Sequence, residues 1–480
     1  MRLSIFFFMT CVSFFLNCSH AQETTEADKI SSSIKKYLDQ ASEDGFQGSI
    51  LVDYHGQKII SEGYGFSDIK NRTSTTPETV FDIGSVTKQF TAAAILKLQM
   101  QGHLSVTDKI TKYFDQVPAN RQDVTIHHLL THTAGFPGGI GNDYAAISTE
   151  EFLIDAFNSK HTDPIEFTYN YSNVGYSLLA IIIEKVSGMS YESFLKKHLF
   201  EPAGMNYTGY ILPEWSDKNI AIGYQGIDRP WGRPNEKNWS TDGPYLHLKG
   251  NGGILSTVED MYLWHRALLK HDILNEAAKK MFYTKHTEEG EGSGSYYGYG
   301  WAIFPTPRNT ELIAHNGGNG IFFADFWRYL DEQVTIIILT NQANRLSERM
   351  ASNLARLVRN PDDEIESAEK KIIDVPKDKV ETFAQSVFQT LAYGNQDDWE
   401  SLLNNQCSES FRTIAPMERH FKIMGKFQEK YKDGTIEKID IQGDEIFLNL
   451  KNRETQGELR IEYDLNDNRE LMITGLRIGG

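Results

Sequence analysis

The stretch Phe81-Asp82-Ile83-Gly84-Ser85-Val86-Thr87-Lys88 decides how the rest of the chain is read. Helical periodicity begins after Gly84 and runs through Phe90, Ala93, Ala94, Leu96 and Leu98 to a stop at Gly102. The predicted helix is apolar on nearly every side, the pattern of a buried helix. Ser85 stands at its first turn, where backbone N–H groups and the helix dipole favour developing negative charge. Lys88 follows one turn later on the same face and reaches the serine hydroxyl. The pair alone is unspecific, because a serine three residues before a lysine occurs six times in the chain, Ser32/Lys35, Ser67/Lys70, Ser193/Lys196 and Ser367/Lys370 among them. An N-capping serine with a surface lysine is the ordinary reading of such a pair. Gly84 in front and the apolar helix behind set Ser85 apart.

Outward from this helix, strand signals lie on both sides. Gly48-Ser49-Ile50-Leu51-Val52-Asp53-Tyr54, the turn His55-Gly56 and Gln57 to Ser61 read as a β-hairpin, preceded by a helix over Ala27 to Ala41. Residues 107–285 are mostly helix and loop. Strand character returns at Trp301-Ala302-Ile303-Phe304, at Ile321 to Leu330 and at Val334 to Thr340, with a closing helix from Ser347 to Val358. Early hairpin and late strands have no partners nearby in sequence. One antiparallel sheet flanked by helices, beside a helical lobe, accommodates them, which is an α/β (α+β) layer arrangement.

Two further segments bear on chemistry. In Tyr171-Ser172-Asn173, a phenol near a lysine ammonium has its ionised form favoured and serves as a general base, and a carboxamide holds a substrate amide. Ordinary aromatic packing in a loop is the plain alternative, and Tyr393-Gly394-Asn395 repeats the pattern. In His315-Asn316-Gly317-Gly318-Asn319-Gly320, placed just before the strand at Ile321, glycines at a strand edge admit a substrate backbone. The N–H of Gly318 can pair with that of Ser85 as an oxyanion hole. A glycine-rich turn with a solvent histidine is the plain alternative, although this is the only His-x-Gly of the chain.

Across residues 46–357 these motifs, in this order, resemble the serine β-lactamase and penicillin-recognising enzyme superfamily, in the branch of class C β-lactamases, D-alanyl-D-alanine carboxypeptidases and family VIII esterases. Residues 125–135 (Thr-Ile-His-His-Leu-Leu-Thr-His-Thr-Ala-Gly) and 252–261 (Gly-Gly-Ile-Leu-Ser-Thr-Val-Glu-Asp-Met) look like structural segments of that branch. The resemblance implies that Ser85 attacks a carbonyl and forms an acyl-enzyme, with Lys88 and Tyr171 moving the proton. It also implies that Asn173 positions the substrate and the Lys88 ammonium, and that no cofactor is needed. One departure matters. Where many β-lactamases of the superfamily carry Lys-Thr-Gly to hold a substrate carboxylate, this chain has His315, Asn316 and Gly317. An imidazole is only partly charged at neutral pH, so carboxylate recognition is expected to be weaker and pH-dependent. The His-x-Gly form looks more like carboxypeptidases and some esterases. An exported hydrolase of peptide-like amides or esters is the reading, with a β-lactamase of modest activity as one alternative. A non-catalytic binding protein on the same fold is the other, and the complete set of Ser85, Lys88, Tyr171, Asn173, His315 and Gly317 speaks against it.

His127, His128 and His132 invite a metal reading, but no Glu follows His128 to complete His-Glu-x-x-His. The resembling families use this segment structurally, so no metal site is expected.

Met1-Arg2-Leu3, the apolar run Ser4 to Leu16 and Ser19-His20-Ala21 have the three regions of a secretory signal, with cleavage expected after Ala21. Acylation of Cys18 competes, against the larger Asn17 before it. No other apolar stretch is long enough to span a bilayer, so a periplasmic or extracellular soluble protein is expected. Beyond the signal Cys407 is the lone cysteine, which excludes an intrachain disulfide. A formal charge of −17 argues against nucleic-acid and anionic-membrane partners. A small-molecule or peptide substrate is the expected partner.

The organisation expected is a signal at 1–21, a hydrolase domain at 22–358, a charged two-proline linker at 359–378 and a small α+β domain at 379–480. In the last, Val380 to Leu403 reads as helix and Thr435 to Ile478 as short strands broken at Gly443-Asp444, Asn452-Arg453 and Asn466-Asp467. This pattern loosely resembles the NTF2-like fold. Phe421, Phe427 and Tyr431 read as its core. The expected partner of this domain is the first domain, another protein or a small ligand.

Overall fold

The computed structural model describes residues 25–159, 168–216, 218–226, 229–290, 292–365, 375–412, 417–442, 445–452, 456–466 and 468–479. The expected signal and much of the expected linker lie outside the described residues. The chain divides into two compact units, with the division between Ile365 and Glu366.

The first unit opens with α1 (Glu26–Glu43), started by a reciprocal cap between Thr25 and Asp28. Its buried Ile30, Ile34, Leu38 and Ala41 recur at helical spacing and form one inward stripe. Strands β1 (Gly48–Tyr54) and β2 (Gln57–Tyr64) follow. His55 and Gly56 between them both take positive φ, 53° and 81°, as a two-residue turn matched to strand twist requires. Next come α2 (Thr87–Met100), α3 (Asn173–Ser187) and α4 (Val258–Leu269), among shorter helices and loops. The chain then returns to the sheet with β3 (Thr287–Glu288), β4 (Tyr296–Tyr297), β5 (Ala302–Pro305), β6 (Glu311–Gly318), β7 (Phe323–Tyr329) and β8 (Val334–Thr340). Helix α5 (Arg345–Arg359) closes the unit.

All eight strands join one antiparallel sheet in the order β2-β1-β8-β7-β6-β5-β4-β3. Strand β8 is buried along its whole length, because both faces of the sheet are covered. Ile336 and Ile338 pack into a core shared with α1 and α5, and Ile337 and Leu339 into the core of the helical lobe. The period-2 alternation of a strand thus feeds two cores at once.

The segment expected just before a strand belongs to one: His315 to Gly318 are not the glycine-rich turn of the plain alternative but the last residues of β6, paired as far as Gly318↔Phe323. Glycine weakens a strand, but is the residue used where another backbone comes close, and the backbone of Ile83 to Ser85 does so here.

The second unit has helices α6 (Lys377–Tyr393), α7 (Gln396–Gln406) and α8 (Met417–Tyr431). A four-stranded antiparallel meander follows, of β9 (Thr435–Gln442), β10 (Glu445–Lys451), β11 (Gln456–Leu465) and β12 (Leu471–Gly479) in sequence order. Its core holds Phe388, Leu403, Phe427, Tyr431, Leu448 and Ile461, with Phe421 packed against it. The single helix expected over Val380 to Leu403 is broken at Gly394-Asn395. There the Asn395 side chain accepts from the Asp397 and Asp398 N–H groups and starts a new helix. Among the described residues no helix is long and apolar enough to cross a membrane.

Candidate active site

Ser85 lies in a single 3-10 turn, Gly84–Val86, that runs into α2. Gly84 adopts φ 50°, and a β-carbon there would stand 2.8 Å from the Gly318 nitrogen. Glycine is therefore demanded twice, by conformation and by contact. The turn is anchored from behind, where the Ile83 N–H donates to the Ile254 carbonyl at 2.9 Å. Ser85 itself is half-buried, whereas Lys88 is fully enclosed.

Lys88 Nζ stands 2.9 Å from Ser85 Oγ and donates to the main-chain carbonyl of Asn251 at 2.7 Å. Burial drives its pKa well below the usual lysine value, so the neutral amine, with a lone pair to offer, becomes accessible. Asn251 had no sequence signal as a site residue, since the contribution is a carbonyl that any residue carries. The one hint is its place in Gly250-Asn251-Gly252-Gly253, where Gly250 and Gly253 take φ 84° and 78°. Its side chain fixes the loop by donating to Ser177 Oγ and to the His247 carbonyl, each at 2.9 Å.

Tyr171 comes from the segment before α3, pinned by a set of local bonds. The Ser172 side chain caps α3 by accepting from the Gly175 N–H and donates to the Pro137 carbonyl. The Asn170 N–H donates to the His132 carbonyl, and the Ser172 N–H to His132 Nδ1 at 3.0 Å. The His132 ring lies 4.3 Å from the Tyr171 ring. Thus held, Tyr171 carries Lys88 Nζ 4.8 Å above its ring, and the Ser85 side chain favours its ionised form against the larger, opposite effect of burial. The expectation of a phenol biased toward ionisation is reversed. Burial raises the Tyr171 pKa, and the lysine beside it has lost its own charge preference to the same burial. Both groups are biased to their neutral forms.

His315 also differs from expectation. It is buried rather than solvent-facing, with Nδ1 2.6 Å from the Asn316 carbonyl and Nε2 2.9 Å from the Tyr297 hydroxyl. A carbonyl only accepts, so Nδ1 carries the proton and Nε2 accepts from Tyr297. Burial and the nearby Lys88 push its pKa down to about 3. The partly charged imidazole expected from sequence is therefore a neutral ring with both nitrogens engaged. Asn316 next to it is exposed, and Gly317 is buried against the nucleophile turn, 2.8 Å separating the Ser85 nitrogen from where its β-carbon would be. Gly318 is exposed beside Gly84. Asn173, first residue of α3, donates its N–H to the Gly138 carbonyl, and its Oδ1 is buried without a hydrogen-bond partner. The Lys88 amine bonds to Ser85 Oγ and the Asn251 carbonyl rather than to Asn173.

The three histidines near residue 130 go to separate tasks. His127 Nδ1 meets the Tyr299 hydroxyl at 2.7 Å, His128 completes a capping box with Thr125, and His132 supports Tyr171.

Pairing between β5 and β6 ends at Ala302↔Ala314. Among the described residues His315 to Gly318 are thus paired on the β7 side alone, and the opposite edge of β6 is open alongside Ser85. A protein-family model described as Beta-lactamase matches residues 33–359. The chain belongs to the β-lactamase family. Relatives within reach of the β-lactamase-family region include penicillin-binding protein 4* of Bacillus subtilis, 31% identical over 313 residues, covering 62% of this chain and 68% of that protein. A putative penicillin-binding protein, PbpX, of the same organism is 30% identical over 289 residues, covering 59% and 69%. Among solved structures, an octameric penicillin-binding protein homologue from Pyrococcus abyssi shares the fold at a TM-score of 0.60 and 23% identity, over 95% of this chain and 100% of that one. A β-lactamase/D-alanine carboxypeptidase from Pseudomonas syringae does so at 0.59 and 20%, over 70% and 99%. The β-lactamase family is one of serine hydrolases, and this chain carries its mixed fold with the large antiparallel sheet.

Proposed function

We propose that the protein is an exported serine hydrolase that moves the acyl group of a peptide-like amide or an ester onto Ser85 and then onto water. The observation carrying this reading is a lysine amine, desolvated and biased to neutrality, 2.9 Å from a half-exposed serine hydroxyl. The neutral Lys88 amine takes the Ser85 proton as Oγ bonds to the substrate carbonyl carbon. Tyr171 donates its proton to the departing amine or alkoxide and is reprotonated by the Lys88 ammonium. Backbone N–H groups of Ser85 and Gly318 hold the tetrahedral oxyanion, and water attack with the reverse proton movements frees Ser85. Asn173, with its unpartnered Oδ1, accepts a substrate amide hydrogen. The open edge of β6 supports the peptide-like class, since an extended substrate adds there as a strand.

Carboxypeptidase substrates and β-lactams both bear a carboxylate, to which His315 offers neither charge nor a free nitrogen, and within the proposed class this favours the esterase-like activity over the carboxypeptidase-like one and over a β-lactamase. The test is intact-mass detection of the adduct with a fluorophosphonate or penicillin probe. An adduct is expected in the wild type and lost in Ser85→Ala; persistence in that variant sinks the assignment. Lys88→Ala and Tyr171→Phe are expected to slow acylation by about 10²–10⁴, and near-normal rates in either remove that residue from the mechanism.

A further inference from the structure

The oxyanion-binding N–H groups named above come from two segments far apart in the chain, and a pair of buried polar side chains ties those segments together. Asp82 is 3% exposed. One of its oxygens accepts from the Gly84 N–H at 2.7 Å, within the turn that presents Ser85. The other accepts from Asn319 Nδ2 at 3.1 Å, one residue past Gly318. The Asn319 amide oxygen in turn accepts from the N–H groups of Ile321 and Phe322, at 3.0 and 2.8 Å, where β6 turns toward β7. Every bond in this chain has a donor facing an acceptor. It runs from the residue before Ser85 to the residues after Gly318.

We propose that Asp82 and Asn319 form a positioning pair that fixes the nucleophile turn against the end of β6, and thereby sets where the Ser85 and Gly318 N–H groups point. This rests on the proposed role of Ser85. Oxyanion stabilisation depends on preorganised donors, and two donors on separate backbones need a rigid link. Gly84 and Gly317 let the two backbones touch, and that contact alone is not directional. Asp82 and Asn319 supply the direction. A purely stabilising role fits poorly, because burial holds the Asp82 carboxyl above its usual range, up to about 6. The ionised form found at neutral pH is therefore a net burden on folding.

The pair permits a rescue test on the full-length protein, with steady-state turnover of a short-chain nitrophenyl ester at pH 8 and thermal midpoints recorded together. Asp82→Asn turns an NH₂ group toward the Asn319 amide. It is expected to lower kcat by about 10- to 100-fold with KM within about threefold, since small misplacements of reacting groups cost that much. Asn319→Asp sets two carboxylates face to face and should do at least as badly. Combining Asp82→Asn with Asn319→Asp restores the pattern. The new amide accepts from Gly84 and donates to the new carboxylate, which still accepts from Ile321 and Phe322. Recovery of kcat to within about fivefold of wild type is expected, given that the geometry is the same. A folded double variant no better than its weaker parent overturns the proposal, as does wild-type kcat in Asp82→Asn. Should Asp82→Asn fail to fold, Asn319→Ala carries the same test, and a wild-type kcat in it overturns the pair. Ser85→Ala runs alongside: full turnover there refutes the nucleophile, whereas a dead Ser85→Ala with wild-type pair variants refutes the pair alone.

Discussion

Gly317 packs its α-carbon against the backbone of Ile83, so closely that a methyl group placed there would overlap the Ile83 carbonyl oxygen and come within 2.8 Å of the Ser85 nitrogen. The neighbours are main chain on both sides and cannot rotate away. Gly317→Ala must therefore displace either the nucleophile turn or the end of β6. A displacement near 1 Å at a reacting group costs about 100-fold in rate. We expect a folded Gly317→Ala protein with kcat/KM lowered by about that factor, measured with an ester substrate and checked by circular dichroism. Rates within about twofold of wild type would mean that the contact does not constrain the turn.

The neutral state of His315 makes a prediction about pH. With its pKa held near 3, the ring does not titrate between pH 5 and 8. Profiles of kcat/KM for a chromogenic cephalosporin, which bears a carboxylate, should have the same shape in wild type and in His315→Gln over that range. An inflection near neutrality that disappears in the variant would show that the imidazole does change charge. His315→Leu, which offers no acceptor, is expected to lower stability by about 1–3 kcal/mol, the usual cost when a buried hydroxyl such as that of Tyr297 loses its partner.

Asp325 provides a stability test independent of catalysis. It lies within β7, opposite Asn316 and Ile338, and burial pushes its carboxyl up to about 8 against an ordinary 3.8. Between these values the folded protein holds a proton that the unfolded chain has released. Stability therefore falls as pH rises from about 4 to about 8. Asp325→Asn cannot titrate, so its thermal midpoint relative to wild type should climb steadily from pH 5 to pH 8. A difference that stays flat with pH would show an ordinary carboxylate.

Much of this arrangement was legible in the chain, and the gaps have physical causes. The hairpin at Gly48, the strand Val334–Thr340 and the helix behind Ser85 announced themselves because burial forces hydrophobic periodicity. Ser85, Lys88 and Tyr171 are brought together as their motifs suggested. Asn251 was invisible because its gift is a carbonyl. The state of His315 is not legible in the sequence, because an imidazole's charge follows from its surroundings and sequence does not show the Tyr297 hydroxyl that fills its second nitrogen. The same applies to Tyr171, whose ionisation turned on whether its lysine neighbour kept a charge in a dry site. Asp82 and Asn319 both lie inside quoted motifs, but neither carries a role there, since each is ordinary until the fold makes them neighbours.

The pairing of β1 with β8 has a consequence for the making of this protein. Gly48 meets Thr340 and Tyr54 meets Val334, so the strand synthesised first among the eight completes its pairing only with the strand synthesised last. Such distant closure is slow and is delayed until the late segment exists. A ribosome-tethered chain halted before residue 334 would carry β1 with one edge bare, its Ile50 and Val52 without the strand they pack beside. The nucleophile's surroundings are thus complete only once the last strand of this sheet has been made, even though Ser85 itself is made early.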